Sequence, residues 1–326
     1  MSAVAGGSGG ARGAARATLD RRGVPGGPGG PSRPGRPRRR PDLLPYALVA
    51  PLAVFVVVLA FVPAAYTIVQ SFFRVDALDP PTRFIGLGNF RALARNAAVV
   101  TSVGNTTIYV VVGVTLSTVL GIAMALTLQR SFRGRSVVVA VLVLPWALPG
   151  VVEGIVWSGI LDANTGLLNS VLTSLHAISH YQVFLGQHRV RTIALIEVVQ
   201  VWQITPLSAL LVLASLQVIP HELYEAAVCD GCSRWGLIRR ISLPLVRPGV
   251  AVAVVQALIA TLNVFDQPYV LNGAATLGSS LTMQTYFITF QNLDFGAGYA
   301  LSLLITVATL VVSLGVLRLV YRKVEF

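Results

Sequence analysis

Charge is scarce in this chain, and what it lacks narrows its function before any motif is considered. Asp, Glu, Lys and Arg together make up 12% of the 326 residues, while 54% are apolar and the mean hydropathy is +0.72. That balance excludes an ordinary soluble domain. There are two cysteines, Cys229 and Cys232, too few for a disulfide framework. Their C-x-x-C spacing has no second pair to complete a tetrahedral metal site and no thioredoxin-like βαβ surroundings, so both read as inert packing thiols and no metal is expected. The four histidines, His176, His180, His188 and His221, all fall outside the apolar runs. A membrane-embedded enzyme would need a nucleophile or metal constellation inside the bilayer. The phosphate-cradling pattern G-x-x-x-x-G-K-[ST] is missing, so ATP and Mg are not expected as cofactors of this chain and no residue is assigned a catalytic role.

What is present is length of apolar sequence. Six runs, about Leu43–Phe61, Val103–Leu128, Val137–Leu161, Ile193–Leu216, Val250–Leu271 and Ala300–Val320, each approach the ~20 residues a helix needs to cross a bilayer. Lipid offers backbone amides no partner, so a span must be a helix or part of a closed barrel, and the alternating segments of a barrel are absent. The expectation is an all-α, polytopic membrane protein with six transmembrane helices.

Residues 1–42 are rich in Gly, Pro and Arg with almost nothing to bury, and read as a disordered basic tail. Nine arginines against Asp20 and Asp42 just before the first run should hold the N-terminus inside. That first run is longer than a signal-peptide core of about 7 to 15 residues and no clear cleavage site follows it, so it reads as an anchor. With the N-terminus inside, 19 of the 25 basic residues fall on the inner side and 6 on the outer side. The net charge of +12 therefore reports topology rather than a nucleic-acid partner, and both termini are expected in the cytoplasm of a bacterial inner membrane. The second domain, residues 43–326, would be the transmembrane body.

The most informative stretch, Gln217–Gly249, is too polar for lipid and lies between the fourth and fifth runs. Glu222–Cys229 should form a short amphipathic helix stopped at Gly231. Ser233 can cap a second helix carrying Trp235, Ile238 and Ile241 along one side, with Pro244 as its end and Pro248 in the first turn of the next span. The product is a helix-turn-helix elbow on the inner side.

Glu225-Ala226-Ala227, Asp230-Gly231, Ile241, Leu243-Pro244 and Pro248 resemble the E-A-A-x-x-D-G…I-x-L-P-x-x-x-P loop of ABC importer membrane subunits. Cys232 and Ile238 depart from the usual Ala and aromatic but stay apolar. The likeness extends over roughly Leu43–Phe326. Phe84-Ile85-Gly86-Leu87-Gly88-Asn89-Phe90, Gly166-Leu167-Leu168-Asn169, Asn263-Val264-Phe265-Asp266 and Tyr269-Val270-Leu271-Asn272-Gly273 look like sugar-importer permeases of the maltose and glycerol-phosphate type. The resemblance implies the type I ABC importer permease fold, with Glu225, Ala226, Ala227, Asp230 and Gly231 forming a coupling helix for a separate ATPase. It implies further partners: a second permease subunit, a dimeric ATP-binding subunit holding ATP and Mg, an extracytoplasmic solute-binding protein, membrane lipid, and a small sugar or polyol.

A neutral polyol calls for hydrogen-bonding groups and a flat apolar face. Trp202, Gln203, Gln256, Asn263 and Asp266 are the candidates for its path, with Glu153 set apart from them. Gln256, Asn263 and Gln267 are spaced to share one helical face. Charge at the bilayer centre is expensive, so Glu153, Glu197 and Asp266 should face protein or a wet cavity. The alternative class, a secondary transporter driven by an ion gradient, predicts inverted repeats with paired broken helices, and no such pairing is legible in the sequence.

Overall fold

The structure is a computed structural model; it describes residues 44–320 apart from 79 and 274–275. The expectation of a basic tail over 1–42 lies outside the described residues. Two units are resolved, divided between Val54 and Phe55. The first contributes Leu44–Val54, most of the apolar helix α1 (Leu44–Val56).

The second unit opens on the last residues of α1, followed by a wide π-turn at Val57–Phe61 and α2 (Val62–Gln70); the helix is continuous here, and the π-turn lies just before Pro63, which lacks an amide hydrogen. A two-residue antiparallel hairpin, β1 (Phe73–Arg74) with β2 (Arg83–Phe84), follows, pairing Phe73 with Phe84 and Arg74 with Arg83. Then come α3 (Gly88–Arg95) and α4 (Ala97–Leu128), the latter begun by Asn96, whose side chain accepts from the amides of Ala98 and Val99 at 3.0 and 3.3 Å.

The third apolar run, expected as one span, is two helices. α5 (Arg135–Ala147) and α6 (Gly150–Leu161) meet at 97° around Leu148-Pro149. Pro149 cannot donate to a continuing ladder and pushes Leu148 out of helical geometry, and Leu148 indeed has ψ 139°. The described residues therefore contain five helices long and apolar enough to cross a membrane, or six if this bent pair counts as one span.

α7 (Leu167–Ser174) leads to α8 (Arg189–Gln217), the most enclosed of the long helices. α8 packs on α4 through small residues: an added Cβ at Gly121 would lie 2.9 Å from that of Ser208. Such close backbone approach is how helices associate where lipid removes the hydrophobic drive. The elbow comprises α9 (His221–Cys229), α10 (Arg234–Leu237) and α11 (Leu243–Leu245), and leads into α12 (Arg247–Leu262). α13 (Asp266–Asn272), α14 (Leu281–Tyr286) and α15 (Phe295–Val320) complete the chain.

One further expectation is corrected. Pro244 does not end the second arm of the elbow: a π-turn at Ile238–Ser242 absorbs the missing amide and the chain stays helical through Leu245. The stretch after the fifth run is partly enclosed. Its backbone enters the protein at Gly278–Leu281, with Ser279 and Ser280 fully buried. Non-helical backbone at such depth must find partners inside the protein. α4 supplies them: Tyr109 donates to the Gly278 carbonyl at 2.8 Å, Asn105 to the Ser279 carbonyl at 2.9 Å, and the Thr106 hydroxyl accepts from the Leu281 amide at 2.9 Å.

Candidate functional site: a polar junction and an elbow

Both helical breaks come together. α12 stops at Leu262, Asn263 has φ −104° and ψ 18°, and α13 starts only at Asp266. α13 packs against α6 just beyond the α5/α6 bend. There is no room at the contact: a Cβ on Gly150 would collide with Asp266 Oδ2, and one on Gly154 would lie 2.8 Å from the Val270 Cβ.

The break re-aims the polar residues. Gln267, expected on one face with Gln256 and Asn263, belongs to a different helix and turns into the protein, where it is buried. Its Nε2 donates to Glu153 Oε2 at 3.2 Å and to Gln203 Oε1 at 2.7 Å, joining α13 to α6 and α8. Glu153, set apart from the others in the sequence, is thus central: it is fully buried, and its Oε1 has no hydrogen-bond partner among the described residues. Gln203 and Asp266 are half-buried. Trp202, 40% exposed, meets Trp157 edge to face with ring centroids 5.7 Å apart. Asn263 is exposed and its amide folds back on the Ile259 carbonyl at 2.8 Å. Gln256 lies elsewhere, lining a groove with Val252, Ile259 and Leu317. Glu197 is buried where α8 crosses α4 at Gly113, and neither carboxylate oxygen has a partner among the described residues.

Two other motifs act as knots. Asn89 is buried and its amide donates to the Ser71 and Phe73 carbonyls at 2.9 and 2.8 Å, fixing the hairpin. Asn169 donates to the carbonyls of Asp162 and Gln182 at 3.1 and 3.0 Å and accepts from the Gln182 amide at 2.9 Å. Asp162 Oδ1 accepts the amides of Asn164 and Thr165 and the Thr165 hydroxyl, which holds this carboxyl below its usual pKa.

The turn and the cap of the elbow have the form their sequence predicts. Gly231 is left-handed at φ +77°, and the amides of Asp230, Gly231 and Cys232 close onto the carbonyls of Ala226, Val228 and Ala227 at 2.9–3.0 Å. Ser233 caps the second arm by accepting from the Gly236 amide at 3.2 Å. Glu225, Ala226 and Asp230 are exposed at the tip, with Ala227 half-buried. The base of the elbow is tied to the helix bundle. Tyr224 and Ser242 share a hydrogen bond of 3.1 Å across the two arms, and Gln129 at the end of α4 donates to Tyr224 Oη at 3.3 Å. Tyr224, Ile241 and Leu245 pack on a core of Leu128, Val212, Leu216, Ile219 and Val246. A push at the tip therefore reaches α4, α8 and α12 together.

A long-helix bundle with a broken, polar-lined junction and a rooted elbow is the architecture of an ABC importer membrane subunit. The backbone superposes on a crystal structure of a bacterial ABC transporter involved in the import of the acidic polysaccharide alginate, with a TM-score of 0.75 at 22% identity, covering 87% of this chain and 97% of that one. Residues 117–325 match the family of binding-protein-dependent transport system inner membrane components, and the chain belongs to that family. It is 34% identical over 272 residues to the trehalose/maltose transport system permease protein MalF of Thermococcus litoralis, covering 83% of this chain and 91% of the relative. It is 30% identical over 263 residues to the trehalose transport system permease protein SugA of Mycobacterium tuberculosis, covering 80% and 83%. To the sulfoquinovosyl glycerol transport system permease protein SmoG of Agrobacterium fabrum the identity is 29% over 284 residues, covering 86% and 91%. The chain is accordingly an integral membrane permease subunit, and the type I importer fold expected from its loop is the fold observed.

Proposed function

We propose that this subunit forms half of the translocation path for a neutral sugar or polyol, and that its elbow receives the stroke of a separate dimeric ATPase that holds ATP and Mg. A second permease subunit supplies the other half, an extracytoplasmic binding protein delivers the solute, and both termini lie in the cytoplasm. The observation that carries the solute reading is the junction of α6, α8 and α13. It offers half-buried amide and carboxyl groups at Gln203 and Asp266, the unpartnered Glu153 Oε1 behind them, and the exposed indole of Trp202. Hydrogen-bonding groups beside a flat apolar ring suit a sugar, which presents hydroxyls at its edge and C–H bonds on its face. Asn263 stands at the break and could reach the solute by releasing the Ile259 carbonyl. Gln256 is remote and has the weakest claim.

The coupling reading rests on Glu225, Ala226, Ala227, Asp230 and Gly231 at the tip. Small side chains admit close approach by another protein surface, and exposed carboxylates can pair with basic groups there. ATP-driven closure of the partner would move the elbow, and the breaks at Leu148-Pro149 and Asn263 are where the helices can tilt.

The test is uptake by proteoliposomes holding this chain, its second permease, the ATPase and the binding protein, with trehalose and maltose as probes. Gln203→Ala and Asn263→Ala are expected to lower solute-stimulated ATP hydrolysis while leaving assembly intact. Undiminished uptake by both variants would remove the junction from the path. Uptake driven by an ion gradient without the ATPase would favour the secondary-transporter alternative.

A further inference from the structure

A cavity of about 540 Å³ sits in the crook of the elbow, away from the polar junction. Its walls are the end of α4, the first arm at His221 and Tyr224, and the second arm from Arg234 to Ser242. Arg130, Arg234, His221 and Ser131 line it, together with the apolar Leu126 and Ile238. No carboxylate lines it, and among the described residues neither Arg130 nor Arg234 has an ion-pair partner. The acids nearest in sequence to His221 and Arg234, namely Glu222, Glu225 and Asp230, do not line the cavity.

We infer that this cavity binds a phosphate-ester anion, and that its source is the headgroup of an anionic phospholipid. Guanidinium forks match phosphate oxygens in pairs, so two unpaired arginines facing one cavity without a carboxylate select phosphate chemistry. The lipid source follows from position and lining. The apolar sequence of α4, a candidate span by length and composition, gives way at Leu128 to Gln129, Arg130 and Ser131, a change expected on the headgroup side of a span. The apolar wall suits the glycerol and first acyl carbons, and basic pockets at the cytoplasmic ends of spans are suited to such headgroups. The occupant would touch α4 and both arms, bracing the elbow beside the Gln129–Tyr224–Ser242 chain. The inference rests on the inner-side placement of the elbow made above.

The experiment uses the assembled transporter in detergent, exchanged with short-chain phosphatidylglycerol or phosphatidylcholine and examined by native mass spectrometry. The wild type should retain phosphatidylglycerol in preference to phosphatidylcholine. Arg130→Gln with Arg234→Gln should lower that preference roughly tenfold or more, since each cation near an anionic headgroup is worth about fivefold. Arg130→Lys with Arg234→Lys should restore most of it, which separates loss of charge from loss of folding. Equal retention of phosphatidylglycerol by wild type and the glutamine variant overturns the proposal. Displacement by glycerol phosphate at millimolar levels, with no lipid preference, overturns the lipid source. Binding that appears only after the ATPase is stripped away means a protein surface fills the cavity, and overturns it as well. Assembly and sugar-stimulated ATP hydrolysis are recorded on the same preparations: their absence in the wild type counts against the permease reading, not against the cavity.

Discussion

Replacing Gln267 by Leu probes the junction at its centre. The change keeps an apolar body of similar size and removes the one amide that donates to Glu153 and Gln203 at 3.2 and 2.7 Å. Both acceptors would then lack that donor, and Glu153 is fully buried with its other oxygen already unpartnered. An unsatisfied buried acceptor costs about 1–3 kcal/mol. Interhelical bonds in membrane proteins measure lower, averaging ~0.6 and reaching ~1.7 kcal/mol, because the unfolded chain in lipid also finds partners. Two such bonds give about 1–3 kcal/mol, or a fall of roughly 1.5–4.5 °C in the unfolding midpoint at about 1.5 °C per kcal/mol for 326 residues. The assay is thermal unfolding of the purified subunit in one detergent, run as a double-mutant cycle with Glu153→Gln and with Gln203→Leu. Residues sharing one network couple by 0.5 kcal/mol or more. If Gln267→Leu and Gln203→Leu add within about 0.3 kcal/mol, the bridge is not a structural link and the reasoning fails.

Gly150→Ala should be worse than its size suggests, because the added methyl would strike the Asp266 carboxylate across the α6/α13 contact; a loss of at least ~1 kcal/mol is expected by thermal unfolding, while Gly159→Ala, with open space around it, should be neutral or slightly stabilising. Ser233→Ala removes the cap of the elbow's second arm and should cost about 1 kcal/mol locally, read as faster amide exchange at Gly236. The Asp162 loop should be pH-sensitive in one direction. Its carboxyl is held below the ordinary value by the Asn164 and Thr165 donors, so the order it confers is complete above the unfolded pKa and lost as pH falls through the lowered folded one. Amide exchange at Asn164 and Thr165, corrected for intrinsic rates, should accelerate only in that acidic window, and Asp162→Asn should abolish the dependence.

The elbow was the most legible part of the sequence, since its signals are local. A glycine that must be left-handed, a serine cap and a run of small residues act within a few positions of themselves, and Gly231, Ser233 and Ala226 behave as their neighbours dictate. The span positions were also legible, because apolar length alone sets them. The breaks were not. Leu148-Pro149 lies inside a run whose hydropathy is continuous, and Pro51 and Pro206 sit inside unbroken helices nearby in composition, so proline alone does not announce a bend of 97°. Asn263 ends α12 without proline or glycine, and helical phase carried through it misplaces Gln267. The signal that could have found the junction was the pair Gly150 and Gly154, spaced four apart, marking a helix face that another backbone approaches closely. Glu153 looked isolated because its partner, Gln267, comes from a helix 114 residues away in sequence.

In the proposed coupling, an exposed tip rooted in the bundle is driven by a partner's ATP hydrolysis. This coupling is tested most directly by measuring sugar uptake and ATP hydrolysis together in proteoliposomes bearing Glu225→Lys at the tip. A charge reversal there should weaken ATPase retention and lower uptake and solute-stimulated hydrolysis in parallel, with the binding protein still docking. Full uptake and undiminished ATPase association in that variant, or uptake by wild type with no ATPase present, would contradict it.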